Sequence, residues 1–396
     1  MNKYLSDWQR LKIGDKLVCL DIKPGFACGE KDVDGGVPHL RMNNISSEGN
    51  VDFSLVRRIP KSTADGKNRW LRTGDVLFCN TNSTDLVGKA CLFAGWKEPC
   101  TFSNHLTMLR VNEKTMLPEW LLLAIRQLWY AKYFAMNCRE FIGQSAFNND
   151  KLRKVEISIP PLDEQRRIVA RVEELTRRAG EIRRLSAQCE EGLDTLLQAT
   201  YCRMIVDAEW KPLNQGASLV RRKIYTKPNE KYEEMGIRSF GKGTFKKPIL
   251  TGQQIGKKHI YRIHDGDLVF NNVFAWEGAI AVAQQEDQGR VGSHRFITYV
   301  PHEGKATSEF LCHHFLSEQG IEAIRAASPG SAGRNRTLGL NKLEKIIVPV
   351  PDYKKQRQFA EIAKRRRAIR REYAAIEQEL KIYQAALVAK AFRGEL

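Results

Sequence analysis

Several short polar and basic loops carry side chains that can hydrogen-bond the edges of nucleic-acid bases. Arginine can donate two hydrogen bonds to guanine, and asparagine or glutamine can pair with adenine. In the first half of the chain these side chains are Arg41, Asn43, Asn44, Gln144, Ser145 and Asn148. In the second half they are Arg221, Arg222, Lys223, Asn271, Asn272, Trp276, Ser331, Arg334, Asn335 and Arg336. We predict base contacts from this set, although ordinary surface turns contain the same residue types, so a purely structural role stays open for each loop.

The sequence lacks the spacings that catalysis or metal binding would require. It contains no GxxxxGK[ST] phosphate-binding loop, and its nine cysteines form no CxxC pair. The FGKG segment at 240–243 resembles a methyl-donor loop only faintly, because no strand precedes it at the required spacing. His105 and His294 have no acidic or cysteine neighbour, which favours packing or hydrogen bonding. We therefore predict no catalytic site and no metal site in this chain.

The composition indicates a globular protein with a polyanionic partner. Hydrophobic residues make up 42% of the chain, which is enough for real cores, and the formal net charge is +18. Lysine and arginine placed near phosphates release counterions and supply affinity that is independent of sequence. The first residues lack the apolar run of a signal peptide, and no segment is long and apolar enough to span a membrane. We therefore predict a cytoplasmic location, no membrane partner and a nucleic-acid partner.

The chain repeats itself after about 190 residues. KLRKVEISIPPLDEQRRI, which begins at Lys151, aligns without a gap with KLEKIIVPVPDYKKQRQF, which begins at Lys342. Upstream, TGDVLFCN matches DGDLVFNN, and NHLTMLRV with His105 matches SHRFITYV with His294. The three matches occur in the same order in both halves, which indicates one structural unit used twice.

Each copy combines a mixed segment with a long helix, so the predicted class is α+β. Short strand-like runs separated by Gly, Asn and Asp turns predict α/β domains over residues 1–162 and 204–353. VEISIPP and IIVPVP are strands that end in prolines, because proline removes a backbone donor and disfavours helix just before it. Long helices are predicted to follow over 163–203 and 354–396.

Both predicted helices carry a heptad seam of apolar residues. In the first helix the seam includes Ile168, Val172, Leu175, Ile182, Cys189, Leu193 and Leu196. In the second it includes Phe359, Ile362, Ile369, Ile376, Leu380 and Leu387. An apolar stripe of this length must be covered. Two such helices related by a pseudo-two-fold axis would cover each other as an antiparallel coiled coil.

Three segments carry a resemblance to a known family: IPPLDEQRRIVARVEEL, VPVPDYKKQRQFAEIAKR and the final KAFRGEL. The chain resembles, over essentially its whole length, the specificity subunit of type I restriction-modification systems. The resemblance implies two target recognition domains, each reading one half of a bipartite, asymmetric site in double-stranded DNA. It also implies that the coiled coil sets the spacer between the half-sites and docks two methyltransferase subunits.

The resemblance further implies that catalysis belongs to the partners. Methyltransferase subunits would bring S-adenosylmethionine, and restriction or translocase subunits would use ATP and Mg²⁺, so no cofactor is expected in this chain. One departure from the pattern concerns charge: the second helix begins with Lys354 and Lys355 where the first has Asp163 and Glu164. The two docking surfaces are therefore expected to differ electrostatically.

Charge and coiled coil alone would also permit a different protein, a non-catalytic scaffold that binds nucleic acid without sequence preference. The two loop sets argue against this alternative. Uniform backbone binding gives no reason for the globular segments to diverge while the helices stay alike.

Overall fold

A computed structural model describes residues 8–30, 32–330 and 336–396 of the chain. These residues divide into two units: unit 1 comprises Met1–Arg184 and Ile376–Leu396, and unit 2 comprises Leu185–Ala375. Each unit therefore contains one globular segment and a part of both long helices. The predicted bounds of two recognition domains, 1–162 and 204–353, and of two helical segments, 163–203 and 354–396, stay a prediction.

Unit 1 is built from short strands and a few helices. The strands are β1 (Gln9–Lys12), β2 (Cys19–Pro24), β3 (Val37–Leu40), β4 (Arg57–Ile59), β5 (Val76–Cys79), β6 (Thr81–Asn82), β7 (Ala90–Leu92), β8 (Thr101–Phe102), β9 (Leu106–Val111), β10 (Arg139–Phe141), β11 (Gln144–Ala146) and β12 (Glu156–Ile159). The helices are α1 (Lys61–Lys67), α2 (Pro118–Tyr130), α3 (Tyr133–Asn137), α4 (Asn149–Lys154) and the first part of α5 (Leu162–Ile205). The sheets have the orders β2-β9-β5-β7, β4-β3-β8, β10-β11-β6 and β1-β12.

Unit 2 repeats this plan with longer strands in one sheet. The strands are β13 (Glu209–Pro212), β14 (Ala217–Val220), β15 (Lys223–Ile224), β16 (Lys231–Ile237), β17 (Thr244–Thr251), β18 (Ile260–Arg262), β19 (Leu268–Asn271), β20 (Ile280–Val282), β21 (Val291–Ser293), β22 (Phe296–Pro301) and β23 (Ile347–Val350). The helices are α6 (Leu213–Gly216), α7 (Gly252–Ile255), α8 (Ser308–Leu316), α9 (Glu318–Ala326), α10 (Leu340–Leu343) and the first part of α11 (Tyr353–Phe392). The sheets have the orders β14-β22-β19-β20, β15-β18-β21-β16-β17 and β13-β23.

The repeated sequence forms the same substructure in both units. In unit 1, β5 pairs antiparallel with β9 and with β7; in unit 2, β19 pairs antiparallel with β22 and with β20. The residue before each of β5 and β19 is a buried aspartate, Asp75 or Asp267, which follows a glycine of positive φ. Positive φ is readily adopted by glycine, so the Gly-Asp pair in both matched segments reflects the turn that starts the strand.

Each buried aspartate is paired with an arginine from a different place in the fold. Asp75 accepts two hydrogen bonds of 2.7 Å from Arg110 on β9. Asp267 accepts bonds of 2.6 and 3.1 Å from Arg222, which precedes β15. A buried carboxylate requires such a partner, so both arginines have a structural role.

A buried glutamine joins each long helix to its globular segment. The side chain of Gln165 accepts the N–H of Leu117 at 2.9 Å and donates to the carbonyl oxygens of Thr115 and Pro160. In unit 2 the side chain of Gln356 accepts the N–H of Thr307 and donates to the carbonyls of Lys305 and Pro351. Both glutamines are fully buried. The glutamine of the Gln-Arg pair that occurs twice in the sequence therefore ties the first turn of α5 to the loop before α2, and the first turn of α11 to the loop before α8. We call this arrangement the glutamine clamp.

The two long helices pair with each other inside each unit. In unit 1, Ile168 and Val172 of α5 share a core with Leu387 and Ala391 of α11. Nearer the middle of both helices, Nε of Arg183 lies 3.2 Å from Oε1 of Glu377. Residue numbers that rise along α5 thus face numbers that fall along α11, so the pairing is antiparallel.

Unit 2 shows the same direction of pairing. Leu197 and Tyr201 of α5 share a core with Phe359 of α11, and Arg366 forms an ion pair with Asp194. At about 1.5 Å of rise per residue, the 44 residues of α5 extend roughly 66 Å and the 40 residues of α11 roughly 60 Å. The antiparallel coiled coil predicted from the heptads is confirmed within both units.

The seam of α5 differs from the predicted one after Ala179. The side chains of Ile182 and Leu196 are 45% and 50% exposed, so these two do not belong to the buried seam, whereas the exposed Cys189 still hydrogen-bonds the side chain of Tyr373 on α11. The neighbouring residues Arg183 and Leu197 take their place in the pairing. A straight helix has about 3.6 residues per turn, and a strict 3.5-residue repeat drifts off its face. The remaining predicted seam residues are buried or half-buried. The buried ones are Ile168, Val172, Phe359 and Leu387. The half-buried ones are Leu175, Leu193, Ile362, Ile369, Ile376 and Leu380.

The core of unit 1 includes residues from both distant ends of the described chain. Trp8 contacts the buried Trp120 edge-on, with ring centroids 5.4 Å apart. Phe392 of α11 packs on both indoles, 4.8 Å from Trp120 and 6.2 Å from Trp8. The end of α11 is therefore a structural part of unit 1. Among the described residues, no helix is long and apolar enough to span a membrane.

Candidate nucleic-acid interface

Three loops of unit 1 meet around Asn80, which follows β5. The N–H of Asn80 donates to the carbonyl of His105 at 3.1 Å, and its side-chain amide donates to the carbonyl of Asn104 and to the hydroxyl of Thr107. The N–H of Phe147 in turn donates to the carbonyl of Asn80 at 2.8 Å. The end of β5, the turn before β9 and the segment after β11 thus form one edge.

The β10–β11 hairpin extends this edge. Gln144 is exposed beside its turn, as a base-reading residue would have to be. Ser145 is only 1% exposed, and its hydroxyl lies 2.8 Å from that of Thr84. The prediction of a base contact is therefore wrong for Ser145, which instead holds the hairpin against β6 through its pairing with Asn82.

Arg41 and Asn43 lie near the turn before β9, residues 103–105. Asn43 belongs to a short 3-10 helix, Met42–Asn44, and Arg41 precedes it. Asn44 is fully buried; its side chain accepts the N–H of Arg41 at 2.8 Å and donates to the carbonyl of Asp52 at 2.9 Å. It cannot reach a base, so its prediction is also wrong. Arg41 and the exposed Asn43 line a recess of about 250 Å³, whose wall includes the turn of residues 103–105.

Asn148 also has a structural role. Its side-chain oxygen accepts the N–H of Asp150 at 2.6 Å and caps the N-terminus of α4. Asparagine is among the preferred N-cap residues because its oxygen satisfies an otherwise unpaired helix N–H. The cap uses only the side-chain oxygen of Asn148, which is exposed, so a base contact through its amide nitrogen stays a prediction.

Unit 2 builds an equivalent edge around Asn272. The N–H of Asn272 donates to the carbonyl of Arg295 at 2.8 Å, and the N–H of Leu338 donates to the carbonyl of Asn272 at 2.8 Å. These bonds correspond to those of Asn80 in unit 1. Asn271 and the exposed His294 and Arg295 line a recess of about 530 Å³ beside them.

Trp276 and Arg336 come together at this edge. The guanidinium carbon of Arg336 lies 5.3 Å from the centre of the Trp276 ring, and the indole N–H of Trp276 donates to the carbonyl of Val273 at 2.9 Å. The hydrogen bond fixes the ring while the arginine covers it. The other predicted members of that loop, Ser331, Arg334 and Asn335, lie outside the described residues.

The basic run Arg221–Arg222–Lys223 lies elsewhere in unit 2. Arg222 pairs with Asp267, which precedes β19. Asn271 lies at the other end of β19, so Asp267 and Asn271 are separated by roughly 13 Å of strand. Arg221 lies over the ring of Tyr261 at 4.7 Å. Only the side chain of Lys223 is exposed. The prediction is therefore wrong for Arg222, which supports a buried carboxylate.

Comparison with known proteins bears on what these edges do. Residues 6–188 match the family model described as the type I restriction modification DNA specificity domain. A protein of Methanocaldococcus jannaschii named for the type I restriction enzyme MjaX specificity subunit is 26% identical over 41% of this chain and 38% of its own length. The EcoKI specificity subunit of Escherichia coli is 24% identical over 51% of this chain and 44% of its own. Residues 6–188 are thus similar to the DNA specificity domain of type I restriction-modification systems, and the chain is similar to specificity subunits of those systems.

The fold of the chain agrees with solved structures along its whole length. The crystal structure of the HsdS subunit from Thermoanaerobacter tengcongensis superposes with a TM-score of 0.54 and 20% sequence identity. The match covers 100% of this chain and 99% of the HsdS chain. A chain in a type I restriction-modification structure concerned with complex assembly and conformational transition covers 100% of both, with 20% identity and a TM-score of 0.63. The matched parts of the curated relatives amount to less than half of their length.

Specificity subunits are the non-catalytic subunits of type I restriction-modification complexes. No group of three His, Cys, Asp or Glu side chains in this part of the chain could hold a metal ion. Burial raises the pKa of Cys79 and Cys312 to about 12, so these thiols stay protonated and unreactive at neutral pH.

Other residues lie at these edges that are not among those predicted from residue type. Asn80 and Arg295 lie at the centre of the two edges, and Arg57 lines the recess of unit 1. A signal was present for the first two. Asn80 ends the matched TGDVLFCN segment, and Arg295 follows His294 in the matched turn. The repeat therefore marks the framework of the edge as well as the core.

Proposed function

We propose that this chain reads DNA sequence for a type I restriction-modification complex, with one half-site read by the globular segment of each unit. The observation that carries the proposal is the edge formed twice: a loop after the central strand, a turn before its neighbour and a third loop are joined by matching hydrogen bonds around Asn80 and Asn272. Equal frameworks with different outer side chains are suited to reading two different sequences.

The outer side chains of the two edges differ in chemistry. Unit 1 presents Asn43 and Gln144, whose amides can pair with adenine. Unit 2 presents Arg295 and the stacked pair of Trp276 and Arg336, which can grip guanine or pack on a thymine methyl group. A bipartite and asymmetric site follows, since neither half would read what the other reads.

We infer that the coiled coil sets the spacer and docks two methyltransferase subunits, with restriction or translocase subunits joining the same complex. Exposed apolar side chains on the long helices, including Leu185 on α5 and Ile382 on α11, support a role in docking. S-adenosylmethionine, ATP and Mg²⁺ would be held by those partners. A complex that acts on bacterial or archaeal DNA works in the cytoplasm, which is where we place this subunit.

Single-molecule mapping of adenine methylation tests the proposal. Cells that carry the gene with its methyltransferase partner should show one bipartite methylated motif that disappears when the gene is deleted. Trp276→Ala should alter only one half of that motif. Trp96→Ala changes a half-exposed tryptophan that lines neither recess, and should leave the motif intact. Methylation that persists without the gene, or binding that is uniform across sequences, would contradict it.

A further inference from the structure

We propose that the recess beside the turn of residues 103–105 in unit 1 binds one phosphate of the DNA backbone, with Arg41 and Arg57 as its cationic ligands. The proposal rests on the proposed function and deepens it. It assigns Arg41 to the DNA backbone, so that this residue positions the protein on DNA without reading a base.

The recess has the charge of an anion site. Its volume is about 250 Å³, and among the described residues its wall contains two arginines and no carboxylate. Outside the wall, Asp32 is 64% exposed and approaches Arg57 only to 3.7 Å. This loosely held carboxylate does not balance the two guanidinium groups of the wall, so net positive charge remains there.

Two polar atoms in this wall have no partner within the part of the chain that is described. They are Nε of Arg41 and the hydroxyl of Ser103, and both are buried. Ser103 is only 7% exposed. The two atoms belong to separate segments that meet at the recess. Both can donate a hydrogen bond, and a buried donor without an acceptor is unfavourable. The oxygens of a phosphate could accept from both.

The surroundings of Arg41 favour the same ligand. Burial and then the charge of Arg57 lower the pKa of Arg41, so each guanidinium disfavours the other until an anion lies between them. His39 does not supply that anion or add charge. Its Nδ1 lies 2.9 Å from the hydroxyl of Thr101, and burial lowers its pKa to about 4, so the ring is neutral at pH 7.

The position of Arg41 distinguishes a phosphate from a base. An arginine that reads guanine projects its outer nitrogens into the major groove as a free fork. Nε of Arg41 is instead buried in the wall of a small recess beside the hydroxyl of Ser103. Asn43, which lines the mouth of the same recess and is exposed, stays available for a base. The recess would thus fix the register in which Asn43 meets the DNA.

The salt dependence of binding tests the proposal with the subunit in its methyltransferase complex. Each phosphate contact contributes about 0.9 to the slope of log K against log salt. Arg41→Gln should lower the slope by about that amount and weaken specific and non-specific DNA to the same extent. Between 50 and 200 mM salt, the variant should lose about 3-fold less affinity than the wild type. Arg41→Lys, which keeps the charge, should recover much of the slope.

Lys61→Gln is the matched control, because Lys61 is an exposed cation on α1 of the same unit that does not line the recess. It should leave the slope within error of the wild type. Arg57→Gln provides a second variant in case Arg41→Gln does not fold, and should lower the slope in the same way. An unchanged slope in both arginine variants, or an equal effect of Lys61→Gln, would overturn the proposal.

Single methylphosphonate substitutions, each of which removes the charge of one phosphate, identify the contact. One position should weaken binding by the wild type and have no further effect on Arg41→Gln; additivity at every position would overturn the proposal. Methylation mapping separates its failure from that of the proposed function. Arg41→Gln should leave the methylated motif unchanged, and a motif relaxed at one base would make Arg41 a base reader while leaving the subunit's role in specificity intact.

Discussion

The glutamine clamp predicts a strong and local effect of one substitution. Gln165→Met keeps the side-chain volume but removes all three hydrogen bonds, to Leu117, Thr115 and Pro160. A net hydrogen bond contributes about 1 kcal/mol, so the junction between α5 and its globular segment should lose about 3 kcal/mol. A difference of 1.4 kcal/mol is a factor of ten in an equilibrium constant, so local opening should increase by about a hundredfold.

Amide hydrogen exchange measures this opening at the N–H of Leu117, which donates to the Gln165 side chain. Exchange at this amide should accelerate by about a hundredfold in Gln165→Met, whereas the N–H of Thr307 should stay protected. Gln356→Met should show the reverse pattern, since its side chain accepts the N–H of Thr307. Gln358→Met, on the exposed side of α11, is the control and should change neither amide. Unchanged exchange at Leu117 in Gln165→Met would refute the clamp.

Three further predictions concern the coil and the buried charges. Removing one heptad from α5 and the facing heptad from α11 shortens the coiled coil by about 10 Å. Mapped methylation should then show unaltered half-sites with a changed spacer between them, or no methylation. An altered half-site would contradict the proposal that the coiled coil sets the spacer. Asp75→Ala leaves Arg110 without its buried partner and should destabilise unit 1 by about 3 kcal/mol in denaturant unfolding; Asp65→Ala, at an exposed position, should cost little, and equal losses would contradict this role. Burial lowers the pKa of His314 to about 4 from 6.5, so the unfolded chain binds more protons in between and unit 2 should lose stability as the pH falls from 6.5 towards 4. Burial lowers the pKa of the neighbouring His313 to about 4 as well, so His314→Gln should remove only about half of that dependence, and an unchanged profile would contradict the role of His314.

The features that could be predicted from the sequence are those that depend on local periodicity or on the internal match. The two long helices, their antiparallel pairing and the strands that end in prolines were accessible because the apolar repeat and the proline positions decide them. The error at Ile182 had a local cause as well. A strict 3.5-residue pattern places Ile182 on the seam, but a helix with about 3.6 residues per turn carries that residue outward.

The composition of the edges could be predicted better than the role of each residue. Asn44, Ser145 and Asn148 have the right chemistry for bases, but each is used by its own loop as a hydrogen-bonding partner, and turn residues and contact residues cannot be told apart by type. The pairing of Arg222 with Asp267 joins residues 45 positions apart. No local pattern indicates it, because only the folded sheet brings the two together.

The packing of Phe392 on Trp120 has a consequence for the order in which the protein is made. Domains generally fold as they leave the ribosome, with the N-terminal one first. Here β1 to β12 are synthesised early, but Leu387, Ala391 and Phe392, which complete their core, are added only after the whole of unit 2. Unit 1 is therefore begun first and completed last. The nascent chain must hold an unfinished core through the synthesis of unit 2, and the indole rings of Trp8 and Trp120 stay uncovered by α11 until then.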